Sequence, residues 1–226
     1  TAKDKKMKLT SILINIPFTY MWILKRIAGN PKTVLDLGCG DGEIMKIIGS
    51  KKWKTTGIDI YSSSLKQAKA TGMYKELIKG DLVTVAKRLV KQKKKYDLVF
   101  CSQVIEHITR KDGIEILELS DQLAKKRIFF GTPNGFMHQP EVFLKGNPHQ
   151  HHKSGWIPKD FEKKGYTVRG VGFKPLWSES GVARIPNKSV EFVLSAIAFF
   201  LNPIIYIFPS LGAGILAIKD IKNEKK

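Results

Sequence analysis

Short apolar segments alternate with longer amphipathic ones through the middle of the chain. The short segments predict five strands, at 33–37, 54–60, 76–78, 96–102 and 127–131. Helical spacing of apolar residues predicts helices that end near 48 and cover 65–70 and 113–123. Strands that alternate with helices are typical of a parallel sheet joined by right-handed crossovers and covered on both faces.

The pattern changes after Pro133. A loop rich in histidine, proline, glycine and asparagine is followed by a predicted helix at 158–164, a strand at 166–173 and a last strand at 214–219. Residues 192–218 carry no charged side chain, and their length exceeds that of a membrane-spanning helix. Because Asn202-Pro203, Pro209 and Gly212 interrupt this segment, we expect a helical hairpin or paired short helices between the sixth and seventh strands.

The first thirty residues form a basic and then amphipathic segment. Residues 9–29 predict a leading helix, bent at Pro17 and ended by Gly29-Asn30-Pro31. Three roles remain open for it: it covers one end of the sheet, it caps a ligand pocket, or it lies on a bilayer. The lysines at positions 3–8 precede no small-residue cleavage site, so no signal peptide is expected.

The charge balance points to an anionic partner. Lys and Arg total 39 against 20 Asp and Glu, for a formal charge of +19. Such a field attracts nucleic acid and anionic membranes alike, although lysine runs are also found simply as solvated surface. Cys39 and Cys101 lie in apolar strand-like stretches, so no disulfide framework is expected and a reducing cytoplasm is the default.

The segment with the clearest chemistry follows the first predicted strand, where Gly38, Gly40 and Gly42 alternate before a helix. Glycines there let the backbone turn sharply and approach a ligand closely. A nicotinamide dinucleotide is one candidate ligand, but it places a diphosphate at such a turn. Asp36 and Asp41 would repel a diphosphate and suit a cationic ligand instead.

Val34-Leu35-Asp36-Leu37-Gly38-Cys39-Gly40-Asp41-Gly42 resembles the first signature of the class I S-adenosylmethionine-dependent methyltransferases. The other signatures of that family follow in order, in Gly57-Ile58-Asp59-Ile60, Gly80-Asp81-Leu82 and residues 96–108. The resemblance implies S-adenosyl-L-methionine as the cofactor, with its ribose hydroxyls on Asp59 and its adenine at Asp81 and the next backbone amide. The cofactor-binding residues it implies are Asp36, Gly38, Cys39, Gly40, Asp59, Ile60, Asp81, Leu82 and Ser102.

A weaker resemblance extends into the second half. Gly131-Thr132-Pro133-Asn134, Glu106-His107-Ile108 and residues 149–156 resemble the branch that includes quinone-biosynthesis O-methyltransferases. This similarity implies a lipid-like or glycan-like acceptor. Methyl transfer from a sulfonium is an in-line displacement that needs alignment and exclusion of water, and no metal.

A hydroxyl acceptor also needs a general base, and imidazole titrates near neutrality. His107 is the first candidate for base or acceptor-orienting group, because it follows the fourth strand at the edge where open α/β sheets bind ligands; a helix-capping or carbonyl-bonding role is the alternative. His149, His151 and His152 form a second set, and His151 is the second catalytic candidate. No carboxylate or thiolate spacing matches them, so we expect a polar lid and no metal site.

Together these observations predict one domain over 1–226, α/β in class, with a Rossmann-like, mostly parallel sheet of seven strands. Residues 1–30 form the N-terminal helix, 31–135 the cofactor-binding core, and 136–226 the substrate-side half with an apolar insertion at 190–213. We expect a methyltransferase that acts on oxygen of a small or lipid-linked acceptor, in the cytoplasm or at the inner membrane face. The alternatives are an RNA methyltransferase, a noncatalytic membrane-attached protein that keeps the fold, and a nicotinamide-dependent oxidoreductase.

Overall fold

The computed structural model describes residues 14–138, 146–177 and 188–222. Seven strands form one sheet in the order β3-β2-β1-β4-β5-β7-β6, and only β7 runs antiparallel to its neighbours. The strands are β1 (Thr33–Leu37), β2 (Lys54–Asp59), β3 (Glu76–Lys79), β4 (Tyr96–Ser102), β5 (Ala124–Pro133), β6 (Thr167–Phe173) and β7 (Gly212–Asp220). The chain order reverses between β1 and β4, which is where open α/β sheets bind ligands.

Helices connect the strands and cover the sheet. They are α1 (Tyr20–Ala28), α2 (Glu43–Ile48), α3 (Ser62–Ala70), α4 (Leu82–Lys91), α5 (Arg110–Leu123), α6 (Pro158–Glu162), α7 (Lys174–Trp177) and α8 (Lys188–Ile207). Side-chain caps set several of their starts, since Thr19, Asp81 and Thr109 each accept a backbone N–H of the first turn.

The core has two layers, one on each face of the sheet. On one face α4, α5 and α6 pack on the strands through residues such as Leu89, Leu117 and Phe161. On the other face α1 and α2 cover the strands through Leu24 and Met45. The central strand β4 is buried along its whole length, which explains the apolar run Leu98-Val99-Phe100 at its centre.

The predicted fold class is confirmed, and most strand bounds agree to within a few residues. Helix α4 was missed, although its buried Leu82, Val85, Ala86 and Leu89 follow helical spacing behind the cap Asp81. The leading helix begins at Tyr20, after Pro17, rather than continuing through a bend; residues 1–13 lie outside the described residues. The division of the chain into three functional parts stays a prediction.

The expectation of a helical hairpin in the apolar insertion was wrong. Residues 188–207 form one helix of 20 residues with Pro203 inside it, and a short 3₁₀ turn at Pro209–Leu211 leads into β7. Ala198 and Ile205 are buried where α8 packs against the sheet, and a Cβ on Gly170 of β6 would collide with the Ile205 carbonyl. This close packing outweighs the hydrogen bond that Pro203 removes. Within the described ranges, no helix combines the length and apolar character needed to cross a bilayer.

Candidate functional site

The turn after β1 has the backbone geometry that only glycine adopts easily. Gly38, Gly40 and Gly42 have φ angles of 72°, 53° and 78°. A Cβ on Gly38 would lie 2.5 Å from both methyl carbons of Val104, so this glycine also lets the turn pack beneath the loop after β4. The Cys39 N–H donates to the Ile58 carbonyl at 2.9 Å, which fixes the turn against the end of β2.

Asp59 joins the same turn to the second strand. Its Oδ2 accepts the Gly40 N–H at 2.9 Å and its Oδ1 accepts the Tyr61 N–H at 2.8 Å. These two bonds hold the carboxylate at the carboxyl edge of the sheet, beside the glycine turn. A carboxylate oxygen has two lone pairs, so both oxygens keep an acceptor position for a ligand hydroxyl.

Asp81 ends the third strand and begins α4. Its Oδ1 accepts the Thr84 N–H at 2.9 Å, which is the helix-capping role that any aspartate here could have. Asp81 is nevertheless exposed at the same sheet edge as Asp59, and Leu82 follows it there. The capping bond occupies one oxygen only, so it does not conflict with the predicted contact to an adenine amino group.

These strand ends surround one cavity of about 300 Å³ at the carboxyl edge of the sheet. The cavity collects most of the residues singled out in the sequence. Its predicted lining residues are Gly38, Cys39, Gly40, Asp59, Ile60, Asp81, Leu82, Ser102 and His107. Their convergence agrees with a ligand site but does not test the role of each residue, so the individual assignments stay predictions.

Asp36 lies below this cavity rather than on its wall. It is buried, and its Oδ2 accepts a 2.7 Å hydrogen bond from the Tyr74 hydroxyl. Burial is the main cause that raises the pKa of Asp36 to about 7; the Tyr74 hydrogen bond opposes this shift and the Asp59 charge adds to it. The sequence analysis missed Tyr74, and the cofactor-binding role of Asp36 stays a prediction.

Helix α1 contacts the cavity-lining residue Ser102 through Tyr20. The hydroxyls of Tyr20 and Ser102 lie 2.5 Å apart, and burial raises the pKa of Tyr20 to about 12. Tyr20 thus stays a neutral phenol at physiological pH. The leading helix both packs on the sheet and contributes a side chain beside a predicted cofactor residue.

His107 lines the cavity from a short 3₁₀ turn, Ile105–His107, after β4. Its Nδ1 lies 3.3 Å from the backbone carbonyl oxygen of His151. Burial, with a smaller contribution from the neighbouring His152, lowers the pKa of His107 to about 4, so the imidazole is neutral at pH 7. A neutral ring has a lone pair with which to accept a proton.

The loop at 146–157 folds back over this turn. The N–H groups of Lys153 and Ser154 donate to the Glu106 carbonyl, at 2.7 and 3.1 Å, and the Ser154 hydroxyl donates to the Ile105 carbonyl. The expected placement of the loop at the site is therefore observed for His149, which lines the cavity. His151 is exposed and contacts His107 through its backbone carbonyl, so its predicted catalytic role has no support from this placement.

Glu106 is a second residue that the sequence analysis missed. It is 2% exposed, and its Oε2 accepts the Thr132 hydroxyl at 2.9 Å. Burial raises its pKa to about 7. The ligand atoms of Glu106, His107 and His152 lie within 4.8 Å of one another. The fold thus brings a carboxylate to the histidine loop, which no local spacing in the sequence could reveal.

A Rossmann-like sheet with a glycine turn and acids at the ends of β2 and β3 defines a nucleoside-binding class of protein, and comparisons with known proteins agree. A methyltransferase domain model matches residues 35–127. Ubiquinone biosynthesis O-methyltransferase from Bordetella parapertussis is 33% identical over 134 residues, or 57% of this chain and 53% of the relative. The same-named protein from Acinetobacter baumannii is 25% identical over 203 residues, or 80% and 84%.

A SAM-dependent methyltransferase structure from Archaeoglobus fulgidus shares the fold, with a TM-score of 0.57 at 20% identity over 95% of this chain and 94% of that one. The chain spans about half the length of the first curated relatives that it matches. Together with the four signatures, these findings show a methyltransferase domain match over residues 35–127 and the Rossmann-like fold of the class I methyltransferases. The cofactor of that class is S-adenosyl-L-methionine, as predicted.

Proposed function

We propose that the chain transfers the methyl group of S-adenosyl-L-methionine to an oxygen of a small, lipid-linked acceptor at an anionic membrane surface. One observation carries the methyl-transfer part. The glycine turn, Asp59 and the Asp81-Leu82 pair line one cavity, and His107 lines the same cavity from the loop after β4. The cofactor end and the acceptor end of an in-line displacement are thereby adjacent.

The reaction balances without a redox partner. A lone pair of the acceptor oxygen forms the new O–C bond to the methyl carbon as the C–S bond breaks. The bonding pair stays on sulfur, which becomes the neutral thioether of S-adenosylhomocysteine. The hydroxyl proton passes to a base or to water, and His107, which lines the cavity, is the residue proposed to orient the acceptor or accept that proton.

Oxygen as the acceptor atom is supported by the relatives, which are named as O-methyltransferases of ubiquinone biosynthesis. A lipid-like acceptor and the membrane surface are supported by α8. The helix buries Ala198 and Ile205 against the sheet, while Phe200 is 78% exposed and Ile207 and Phe208 are exposed as well. Apolar surface of this kind beside a chain of charge +19 is suited to an anionic bilayer.

Tritiated methyl transfer into fractionated cell extract tests this function. With tritiated S-adenosyl-L-methionine, we expect label in the lipid fraction with the wild-type chain and less label there with Asp59→Asn. Label confined to RNA would overturn the acceptor class and favour the RNA alternative. No label in any fraction, with S-adenosylhomocysteine bound, would favour a noncatalytic protein. Binding of NAD in place of S-adenosylhomocysteine in calorimetry would exclude the methyltransferase function altogether.

A further inference from the structure

Three potential metal ligands meet at the acceptor end of the cavity. Glu106 and His107 lie on the 3₁₀ turn after β4, and His152 lies on the loop that folds over this turn. Their ligand atoms lie within 4.8 Å of one another, and the two imidazole rings are 4.8 Å apart at their centroids. Because three donors come from two separate segments, their proximity is a consequence of the fold and not of local sequence.

The hydrogen bonds of both histidines leave a nitrogen available. The Nδ1 of His107 lies 3.3 Å from the His151 carbonyl oxygen, and the Nδ1 of His152 lies 2.5 Å from that of Met137. A carbonyl only accepts hydrogen bonds, so each Nδ1 carries the hydrogen and each Nε2 keeps its lone pair. Metal-binding histidines are typically held in this way by a backbone carbonyl on the other ring nitrogen.

Glu106 supplies an independent observation. Its Oε2 accepts the Thr132 hydroxyl, but among the described residues its Oε1 is buried without a hydrogen-bond partner. A buried carboxylate oxygen without a partner costs free energy, because it has lost water and gained no donor. A bound cation would restore that lost interaction, which an unprotonated Nε2 of either histidine cannot supply because it only accepts.

We propose that Glu106, His107 and His152 bind one divalent transition-metal ion beside the methyl-donor cavity. Two imidazole nitrogens and one carboxylate oxygen suit Zn²⁺, Fe²⁺, Co²⁺ or Mn²⁺, and three protein ligands leave positions open for another oxygen. With ligand distances of about 2.1 Å, two ligands of one ion are at most about 4.2 Å apart. The three side chains therefore need only a small inward rotation.

The consequence for catalysis rests on the proposed function. A hydroxyl oxygen of the acceptor would occupy an open position, and the ion would lower its pKa so that the proton leaves to water at the mouth of the cavity. The metal-bound oxygen then forms the O–C bond as the C–S bond breaks and sulfur keeps the pair. His107 in this case is a ligand, and the ion takes over the orientation of the acceptor.

Cobalt titration tests the site without methyl donor or acceptor. The full chain without a histidine tag is stripped with chelator and titrated with Co²⁺, following visible absorption and calorimetry. We expect one ion per chain, with a Kd at least about 100-fold weaker in Glu106→Gln and in His152→Ala, since loss of a ligand exceeds the 10- to 100-fold effect of losing an outer partner. His149→Ala and His151→Ala are matched controls from the same loop and should retain the wild-type Kd.

Each variant is also checked for S-adenosylhomocysteine affinity and thermal unfolding, which report on the fold independently of the metal. A wild-type chain that binds no cobalt would overturn the proposal. Equal losses of cobalt affinity in His152→Ala and His151→Ala would also overturn it, because they would show that cobalt binds to exposed histidines of the loop. Cobalt binding without methyl transfer would sink the proposed function alone, and metal-independent methyl transfer with no cobalt binding would sink only the metal site.

Discussion

The Tyr74 hydroxyl donates a 2.7 Å hydrogen bond to the buried carboxylate of Asp36, directly beneath the glycine turn. The Tyr74 ring also packs against this turn, since a Cβ on Gly42 would lie 2.9 Å from it. The pair places a carboxyl group beneath the turn, shielded from solvent, and its negative charge predominates only above about pH 7. A cationic sulfonium above the turn would interact with that charge through a region of low dielectric constant.

The first prediction concerns stability and pH. Burial raises the pKa of Asp36 to about 7 in the folded chain, against 3.8 for an unperturbed aspartate. Between about pH 4 and 7 the unfolded state releases this proton and the folded state keeps it, so stability falls as pH rises. Asp36→Asn removes this titration. The difference in free energy of unfolding between Asp36→Asn and wild type should therefore shift by a few kcal/mol in favour of the variant as the pH rises from 4 to 8. Urea unfolding at several pH values measures the gain.

Tyr74→Phe is the informative companion variant. Its hydroxyl lowers the Asp36 pKa, so without it the folded carboxyl group keeps its proton to a higher pH, and stability should continue to fall above about pH 7 where the wild-type curve levels off. A difference between Asp36→Asn and wild type that stays constant from pH 4 to 8 would show that Asp36 titrates normally. That result would remove the buried charge from the description of the site.

The second prediction concerns the acid at the end of β2. Asp59→Asn keeps an oxygen for the Gly40 N–H but loses the charge that strengthens bonds to ribose hydroxyls. Such bonds contribute about 1.5–3 kcal/mol each, so S-adenosylhomocysteine affinity should fall about 10- to 100-fold with the fold retained. Calorimetry measures this affinity. Asp220→Asn, at the opposite edge of the sheet, should bind as wild type, and unchanged affinity in Asp59→Asn would contradict the ribose assignment.

The third prediction separates two roles of the glycines. Gly40 has a φ of 53°, and a Cβ there would meet no protein atom within 4 Å. Gly40→Ala should therefore cost about 1–2 kcal/mol of stability from backbone strain and yet abolish cofactor binding, because the methyl group occupies ligand space. Gly72→Ala is the matched control, with a φ of 68°, equal open space and no place in the cavity. It should show the same strain and normal affinity.

Gly38→Ala should behave differently from both. Its Cβ would collide with Val104, a β-branched side chain with little freedom to move. We expect a larger loss of stability than in Gly40→Ala, measured by thermal unfolding. If Gly40→Ala binds S-adenosylhomocysteine normally, the ligand does not approach the turn closely and the first signature has only a structural role.

The parts of this molecule that were predicted correctly depend on neighbours in sequence. Strand β1, the glycine turn and Asp59 follow from local patterns, because strand periodicity and turn geometry are set within a few residues. The cavity residues were found because the four signatures each end a strand, and parallel strands end at one edge. Helix α4 carried an equally local signal and could have been found from its cap and apolar spacing.

The residues that were missed depend on contacts between distant segments. Tyr74 meets Asp36 across 38 positions, and Glu106 meets His152 only because the loop at 146–157 folds back. Local spacing contains no information on such pairs. The predicted interruption of the helix at Pro203 was wrong for a related reason. Proline disfavours a helix on its own, but the packing of α8 on β6 determines the outcome here.

The last prediction concerns α8 and the bilayer. Deleting the helix would also remove the buried Ala198 and Ile205, so substitutions on its exposed face are the sharper test. Phe200→Ser combined with Ile207→Ser should reduce flotation with liposomes that contain anionic phospholipid, because each exposed apolar side chain contributes area to the membrane contact. Phe136→Ser, at a phenylalanine that is 59% exposed outside α8, is the control and should float as wild type.

Flotation should also weaken with added salt, since salt screens the attraction between a chain of charge +19 and anionic lipid. Equal flotation of all three proteins would mean that α8 does not contact the bilayer, and an absence of salt dependence would exclude the basic surface from it.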